Sequence, residues 1–272
     1  MGRIGSGWAL VKASFGVLNK DKELIVLPLL SGLTMIFVAA IVWGGFFATT
    51  FGQAPEWAYL LALYVFYVLS TFVVVFFNAG VVAAATIRFE GGDPTVGDGL
   101  RAAWGKKGII FQWALVAATV GLLLHILETR TRGMGARLFT WLGKMAWAAA
   151  TYFVVPVLVF EGLKPMDALK RSVAVVRKTW GEALTGEFST GFIFFLLGVL
   201  GLLPIFAFMT FGPIGLAIGI GVAVLYWIVL AAVGGAVNGI LIAGLYKYAK
   251  DGKVPNGLPA DIIEHPVPVS AH

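Results

Sequence analysis

Residues Ala58–Ile87 read AYLLALYVFYVLSTFVVVFFNAGVVAAATI, a run without a single charge. As an α-helix it would be about 45 Å long, more than the roughly 30 Å hydrocarbon core of a bilayer. The run therefore predicts a transmembrane helix. The same measure, about 20 mostly apolar residues per crossing, predicts further spans at Leu24–Phe47, Ile109–Leu127, Met145–Phe160, Phe188–Met209 and Ile214–Tyr246. The fourth is short and is allowed to begin earlier, near Leu138. The sixth is longer than one crossing needs, so it must tilt, break at Gly234-Gly235 or project beyond the membrane; projection of Leu245–Lys250 is the favoured solution.

Composition agrees with this reading. Of the 272 residues 59% are apolar and 12% charged, about half the charged fraction of ordinary soluble domains. With no cysteine in the chain, disulfides, thiolate metal sites and a cysteine nucleophile are all excluded. Met1–Lys22 carries four basic residues but no small-residue cleavage site after a short apolar core, so the first apolar segment is expected to be retained.

Orientation follows from the basic residues. Sixteen of the twenty Lys and Arg fall in four segments: the start of the chain, the second loop, the fourth loop and the tail. The first loop (Ala48–Trp57) and the fifth (Thr210–Pro213) have none. By the positive-inside rule the sixteen face the cytoplasm, and both termini lie there too. The third loop, residues 128–144, dissents, because it places Arg130, Arg132, Arg137 and Lys144 outside.

Three of the basic segments are amphipathic. Trp8, Val11, Phe15 and Leu18 form one helical stripe, with Lys12 and Asn19 off it. Val96, Leu100 and Trp104 form a second, off which lies Arg101, with Lys106 and Lys107 following. Leu169, Val173, Val176 and Trp180 form a third, clear of Lys170, Arg171, Arg177 and Lys178. Each stripe is too narrow to span and too apolar for water, so each helix is expected at the cytoplasmic interface. The predicted fold is thus an all-α integral membrane protein of six transmembrane helices, arranged as three hairpins each led by an interfacial helix. It forms one membrane domain over residues 1–250 with a tail over 251–272. Ala9-Leu10 with Ser14 is faintly echoed by Ala168-Leu169 with Ser172. Trp57 and Trp141 sit at predicted span ends and Trp8, Trp104 and Trp180 in the interfacial helices, as an aromatic belt requires, while Trp43, Trp113, Trp147 and Trp227 fall inside spans.

Charges within a membrane are costly, about 2.5–3.5 kcal/mol each at mid-bilayer, and mark function where they occur. This chain has almost none. His125 and Glu128 share a helix face and have the spacing for a shared metal or proton, but no second pair completes a metal site, and pairing of Glu128 with Arg130, Arg132 or Arg137 is the simpler expectation. Glu161 is placed to cap the following helix or to pair with Lys164, Lys170 or Arg171. Asn78, Gln112 and Asn238 are the amides inside spans; they serve as interhelical hydrogen-bonding glue or line a polar path. Gly215, Gly219, Gly221, Gly234, Gly235 and Gly239 are expected to let the sixth helix approach its neighbours closely. No phosphate-binding glycine loop, nucleophile elbow or metal-binding helix motif is present. No enzyme, cofactor or metal is expected, and the net charge of +6 suits anionic lipid better than nucleic acid.

Three stretches carry a resemblance. They are Gly5-x-Gly7-Trp8-x-Leu10-x-x-x-Ser14 with Asp21–Leu24 and Pro28–Gly32; Thr151–Leu158 with Glu161, Pro165, Ala168–Ser172 and Trp180–Glu182; and Gly244–Ala249 with Gly252 and Pro255. Together they resemble a prokaryotic family of polytopic membrane proteins of unknown function. More distantly, the middle stretch is similar to the membrane domain attached to some glycerophosphodiester phosphodiesterases, without the hydrolase domain that would supply that activity. The resemblance implies a prokaryotic inner-membrane location and transfers no catalytic residue. The expected function is non-enzymatic: binding of anionic lipid at Lys12, Arg101, Lys106, Lys107, Lys170, Arg171, Arg177 and Lys178, and of a membrane-protein partner or a second copy. The alternative is a small transporter or channel whose path uses Asn78, Gln112, His125, Glu128, Glu161 and Asn238.

Overall fold

A computed structural model describes residues 3–130, 133–178 and 191–258. Trp180, the side chain of Lys178, Arg132, the expected start of the fifth span at Phe188, and His265 and His272 lie outside the described residues. Every regular element among the described residues is helical. They are α1 (Arg3–Lys20), α2 (Val26–Ala39), α3 (Gly45–Thr50), α4 (Glu56–Phe89), α5 (Val96–Gly105), α6 (Lys107–Arg130), α7 (Met134–Thr151), α8 (Val154–Phe160), α9 (Pro165–Lys178), α10 (Leu203–Phe208) and α11 (Gly212–Asp251). Residues 191–200 are helical as well. Among the described residues, five runs are long and apolar enough to cross a membrane: Lys22–Thr50, Glu56–Phe89, Lys107–Arg130, Arg137–Phe160 and Gly191–Asp251.

The last run is 61 residues long, about 90 Å if straight, but it folds back on itself. Tyr226 Oη donates to the Leu197 carbonyl at 2.7 Å and Trp227 Nε1 to that of Gly198 at 3.0 Å. The reversal falls at the short 3-10 turn Met209–Phe211 and Gly212, whose φ of +77° only glycine adopts without strain. Its second arm, α11, runs unbroken through Gly234-Gly235. Those glycines serve close approach rather than a break: a Cβ at Gly234 would sit 3.1 Å from the Phe194 ring, and one at Gly235 3.3 Å from Pro28.

Residues group into two compact units. One contains the described residues of Met1–Leu29, Ala84–Val96 and Thr179–His272. Its core joins α1 (Leu10, Val11, Val17, Leu18) to the C-terminal half of α11, where Ala236, Val237, Ile240, Leu241, Leu245 and Tyr246 are all buried. The other contains Leu30–Ala83 and Gly97–Lys178. There the π-helical turn Ala40–Gly44 presents Trp43 to Tyr59 and Phe66 of α4, at ring separations of 5.7 and 5.8 Å. Trp113 of α6 stacks on Trp147 of α7 at 5.9 Å.

The connection over 128–144 is largely helical: α6 and α7 leave only residues 131–133 between them, and Arg137 and Lys144 lie on α7. Gly133, at φ +105°, makes the turn. The fourth candidate span starts at Arg137, beside the earlier start near Leu138 that the sequence allows, and is interrupted at Tyr152–Phe153, where α7 ends and α8 begins. Pro156 has no N–H to offer the carbonyl four residues back, so the helix breaks there. The Phe153 N–H turns instead to Ser172 Oγ, at 3.0 Å.

Candidate lipid-facing basic surfaces

All three basic helices form, but each buries a line of residues one position earlier than its large apolar side chains suggest. In α1 the buried line is Leu10, Ser14 and Val17, with Val11 and Leu18 beside it, while Phe15 is half-buried and Trp8 55% exposed. In α5 it is Gly99 and Ala103, leaving Leu100 half-buried and Trp104 61% exposed. In α9 it is Ala168, Ser172 and Val175, joined by Val176, leaving Leu169 and Val173 half-buried. In α5 the contact falls on small residues, over which helices approach closely, whereas α1 adds Leu10, Val11, Val17 and Leu18 to Ser14, and α9 adds Val175 and Val176 to Ala168 and Ser172. In all three helices one flank keeps apolar side chains that are exposed or half-buried.

Cations share that flank. Lys12 is one turn from Trp8 and exposed, as is Arg101 three residues before Trp104. Lys107 Nζ stands 4.1 Å from the centre of the Trp104 ring, a cation–π contact of the kind found at membrane interfaces. Lys170 and Arg177 are exposed one turn from Met166 and Val173 respectively. Lys106 is half-buried and lies over the Gly162 backbone, so close that a Cβ there would meet its Nζ at 2.9 Å. Arg171 is committed elsewhere: its Nε donates to Glu161 Oε1 at 3.0 Å.

Of the polar residues of the spans, His125 and Glu128 lie one turn apart on α6. Asn78 is half-buried, Gln112 exposed, and His125 half-buried beside the Tyr67 ring at 6.5 Å. Glu128 pairs with Lys144 at 2.6 Å rather than with Arg130 or Arg137, Arg132 lying outside the described residues, and Arg130 pairs with Glu56 at 3.2 Å. On a helix, Lys144 is brought back against α6 while Arg130 reaches the start of α4. Asn238 borders a groove of about 400 Å³ with Phe194, Trp227, Gly234 and Gly235, and its Oδ1 has no hydrogen-bond partner. No group of three or more His, Asp or Glu among the described residues could hold a metal ion.

Two features went unread in the sequence. The first is an ion cluster: Arg88, at the end of α4, forks onto both carboxylate oxygens of Asp21 and also reaches Asp93 at 2.5 Å. Asp21 is nearly wholly buried. The second is a corner that recurs three times with one spacing, acid-Gly-x-x-Pro: Glu90-Gly91-Gly92-Asp93-Pro94, Glu161-Gly162-Leu163-Lys164-Pro165 and Asp251-Gly252-Lys253-Val254-Pro255. Each glycine closes a helix with a positive φ, +87°, +62° and +69°, the usual left-handed helix stop, and each proline prevents resumption until the chain has turned. The first two acids hold a cation, Glu90 pairing with Lys247 at 2.6 Å and Glu161 with Arg171.

The family model that matches, over residues 57–256, is the family of unknown function DUF6159. No curated protein matches the chain. The match covers well over half of the sequence, and the chain belongs to that family.

Proposed function

We propose, from membership of that family and from the basic flanks, that this chain is a non-enzymatic membrane protein that holds anionic lipid at its cytoplasmic surface. Six crossings, arranged as three hairpins, carry α1, α5 and α9 on that surface. The three acid-Gly-x-x-Pro corners support this arrangement, because each follows a helix expected to return to the same side. The two arms within Gly191–Asp251 account for the sixth crossing. Its exposed apolar helix faces, such as Ile214, Leu225 and Val229 on α11, suit a membrane-protein partner or a second copy. From the distant likeness to the phosphodiesterase membrane domain we take a shared helical architecture only.

The observation that carries the lipid reading is the common rotation of the three helices. In each helix, cations and exposed or half-buried apolar side chains such as Trp8, Trp104 and Val173 are left together on one flank. In an aqueous setting that juxtaposition exposes apolar surface to no benefit; at an anionic membrane both halves gain, each cation by about 1 kcal/mol. The test replaces Lys12, Arg101, Lys107, Lys170 and Arg177 by Gln and measures, by spin-labelled lipid association, the preference for phosphatidylglycerol over phosphatidylcholine. A several-fold or greater loss of preference is expected. An unchanged preference in a folded variant removes the proposal.

A further inference from the structure

At the other end of α6 from Lys107 lies a groove of about 640 Å³ lined by Glu128 of α6 and by Met134, Arg137, Leu138, Trp141 and Lys144 of α7. The α7 residues recur every three or four positions, so they occupy one helix face. That face is open: Met134, Arg137, Leu138 and Trp141 are all exposed. Two carboxylates stand at this end of the unit, Glu56 and Glu128, and both are taken, by Arg130 and Lys144. No carboxylate among the described residues pairs with Arg137. The groove therefore carries one uncompensated guanidinium among apolar and aromatic side chains.

We propose that this groove is a second lipid site, in which Arg137 binds the headgroup phosphate of an anionic phospholipid and Met134, Leu138 and Trp141 flank its glycerol and upper acyl chain. Guanidinium matches phosphate with two parallel N–H donors. The apolar flank selects an amphiphile over a free anion, which would gain nothing from it. Glu128 does not repel the phosphate outright, since Lys144 at 2.6 Å neutralises it. The inference rests on reading α6 as a crossing. Lys107 and Glu128 are 21 residues apart on it, about 30 Å, which sets this site in the opposite leaflet from the α5 cations. It also accounts for the basic residues that violate the charge rule on that side: a bound anion offsets them.

The full-length protein is reconstituted in phosphatidylcholine bilayers with increasing brominated phosphatidylglycerol, and quenching of Trp141 is isolated as the difference from Trp141→Phe. Half-maximal quenching is expected at a several-fold lower lipid fraction with brominated phosphatidylglycerol than with brominated phosphatidylcholine. Arg137→Gln abolishes that difference, and Arg137→Lys keeps part of it. Replacement of the five cytoplasmic cations leaves it unchanged, so this site and the proposed cytoplasmic one fail separately. Equal quenching by the two lipids, or no effect of Arg137→Gln, overturns the proposal. Equal displacement by millimolar inorganic phosphate also overturns it, in favour of a simple anion site.

Discussion

Arg88→Ala is expected to lower stability by about 3–5 kcal/mol, the cost of leaving a buried charge without its partner. Asp21 sits at the corner between α1 and α2 with its side chain only 3% exposed, and Arg88 is its partner across 67 positions of sequence. The same guanidinium reaches Asp93 in the first acid-Gly-x-x-Pro corner, so one side chain ties the α1–α2 corner to the end of α4. Truncation strands the Asp21 carboxylate in an apolar setting, where Leu24 and Leu27 are also buried. Thermal unfolding of the detergent-solubilised protein checks this, with Arg88→Lys as the comparison. Lysine restores the charge but not the fork, so intermediate stability is expected. Replacing both partners together, as Asp21→Asn with Arg88→Met, should recover much of the loss, because no lone buried charge remains. Equal instability of the single and double variants would count against the pairing account.

The second large effect belongs to the hairpin within Gly191–Asp251, and it has an internal control two residues away. A Cβ at Gly219 would meet the Pro204 carbonyl at 2.7 Å and the Ile205 Cα at 3.1 Å. Both are backbone atoms, so no rotamer change relieves the clash and the arms must part. A Cβ at Gly221 meets nothing within 4 Å. Gly219→Ala is therefore expected to destabilise by about 1–3 kcal/mol, the usual cost of overpacking. Gly221→Ala is expected to be neutral or to stabilise by roughly 0.5–1 kcal/mol through helix propensity. The two melting temperatures should move in opposite directions. Gly219→Leu should exaggerate the loss, and parallel shifts for the two alanine variants would contradict the seam. Gly215, Gly219 and Gly221 are alike in sequence, but the structure separates them, since Gly215 and Gly219 are buried against the opposite arm and Gly221 is not.

Helix content and membrane-length apolar runs were legible because they depend on length and composition, which the bilayer constrains strongly. The facing of the helices was less so. Choosing a stripe by hydrophobicity selects Trp8, Trp104 and Leu169, which are exposed or half-buried, as well as Val11, Leu18 and Val176, which are buried, and it passes over the buried Ser14, Ala103 and Ala168. In a membrane the two criteria diverge, because lipid accepts large apolar side chains and close packing prefers small ones. The two serines of the faint echo, Ser14 and Ser172, are both fully buried, each four residues after another fully buried residue, Leu10 and Ala168. Ion pairs were the least legible. Glu128 was matched to arginines nearby in sequence, and Asp21 to none, because partners such as Lys144 and Arg88 are set by how helices pack. The third corner, Asp251–Pro255, is legible only when the three loops are set side by side, because one Gly and one Pro in a single loop carry no spacing.

In the proposed topology six crossings place α1, α5, α9 and the tail on one side of the membrane and the Arg137 groove on the other. A chain without cysteine lets single cysteines report this without background. Lys20→Cys, Arg101→Cys, Lys170→Cys and Lys253→Cys, with Gln53→Cys, Gly133→Cys and Thr210→Cys, are exposed to a membrane-impermeant maleimide in intact and in permeabilised cells. The account predicts that the first four label only after permeabilisation and the last three label in intact cells. Labelling of Thr210→Cys on the same side as Lys253→Cys, or of Gly133→Cys on the same side as Lys170→Cys, would contradict it.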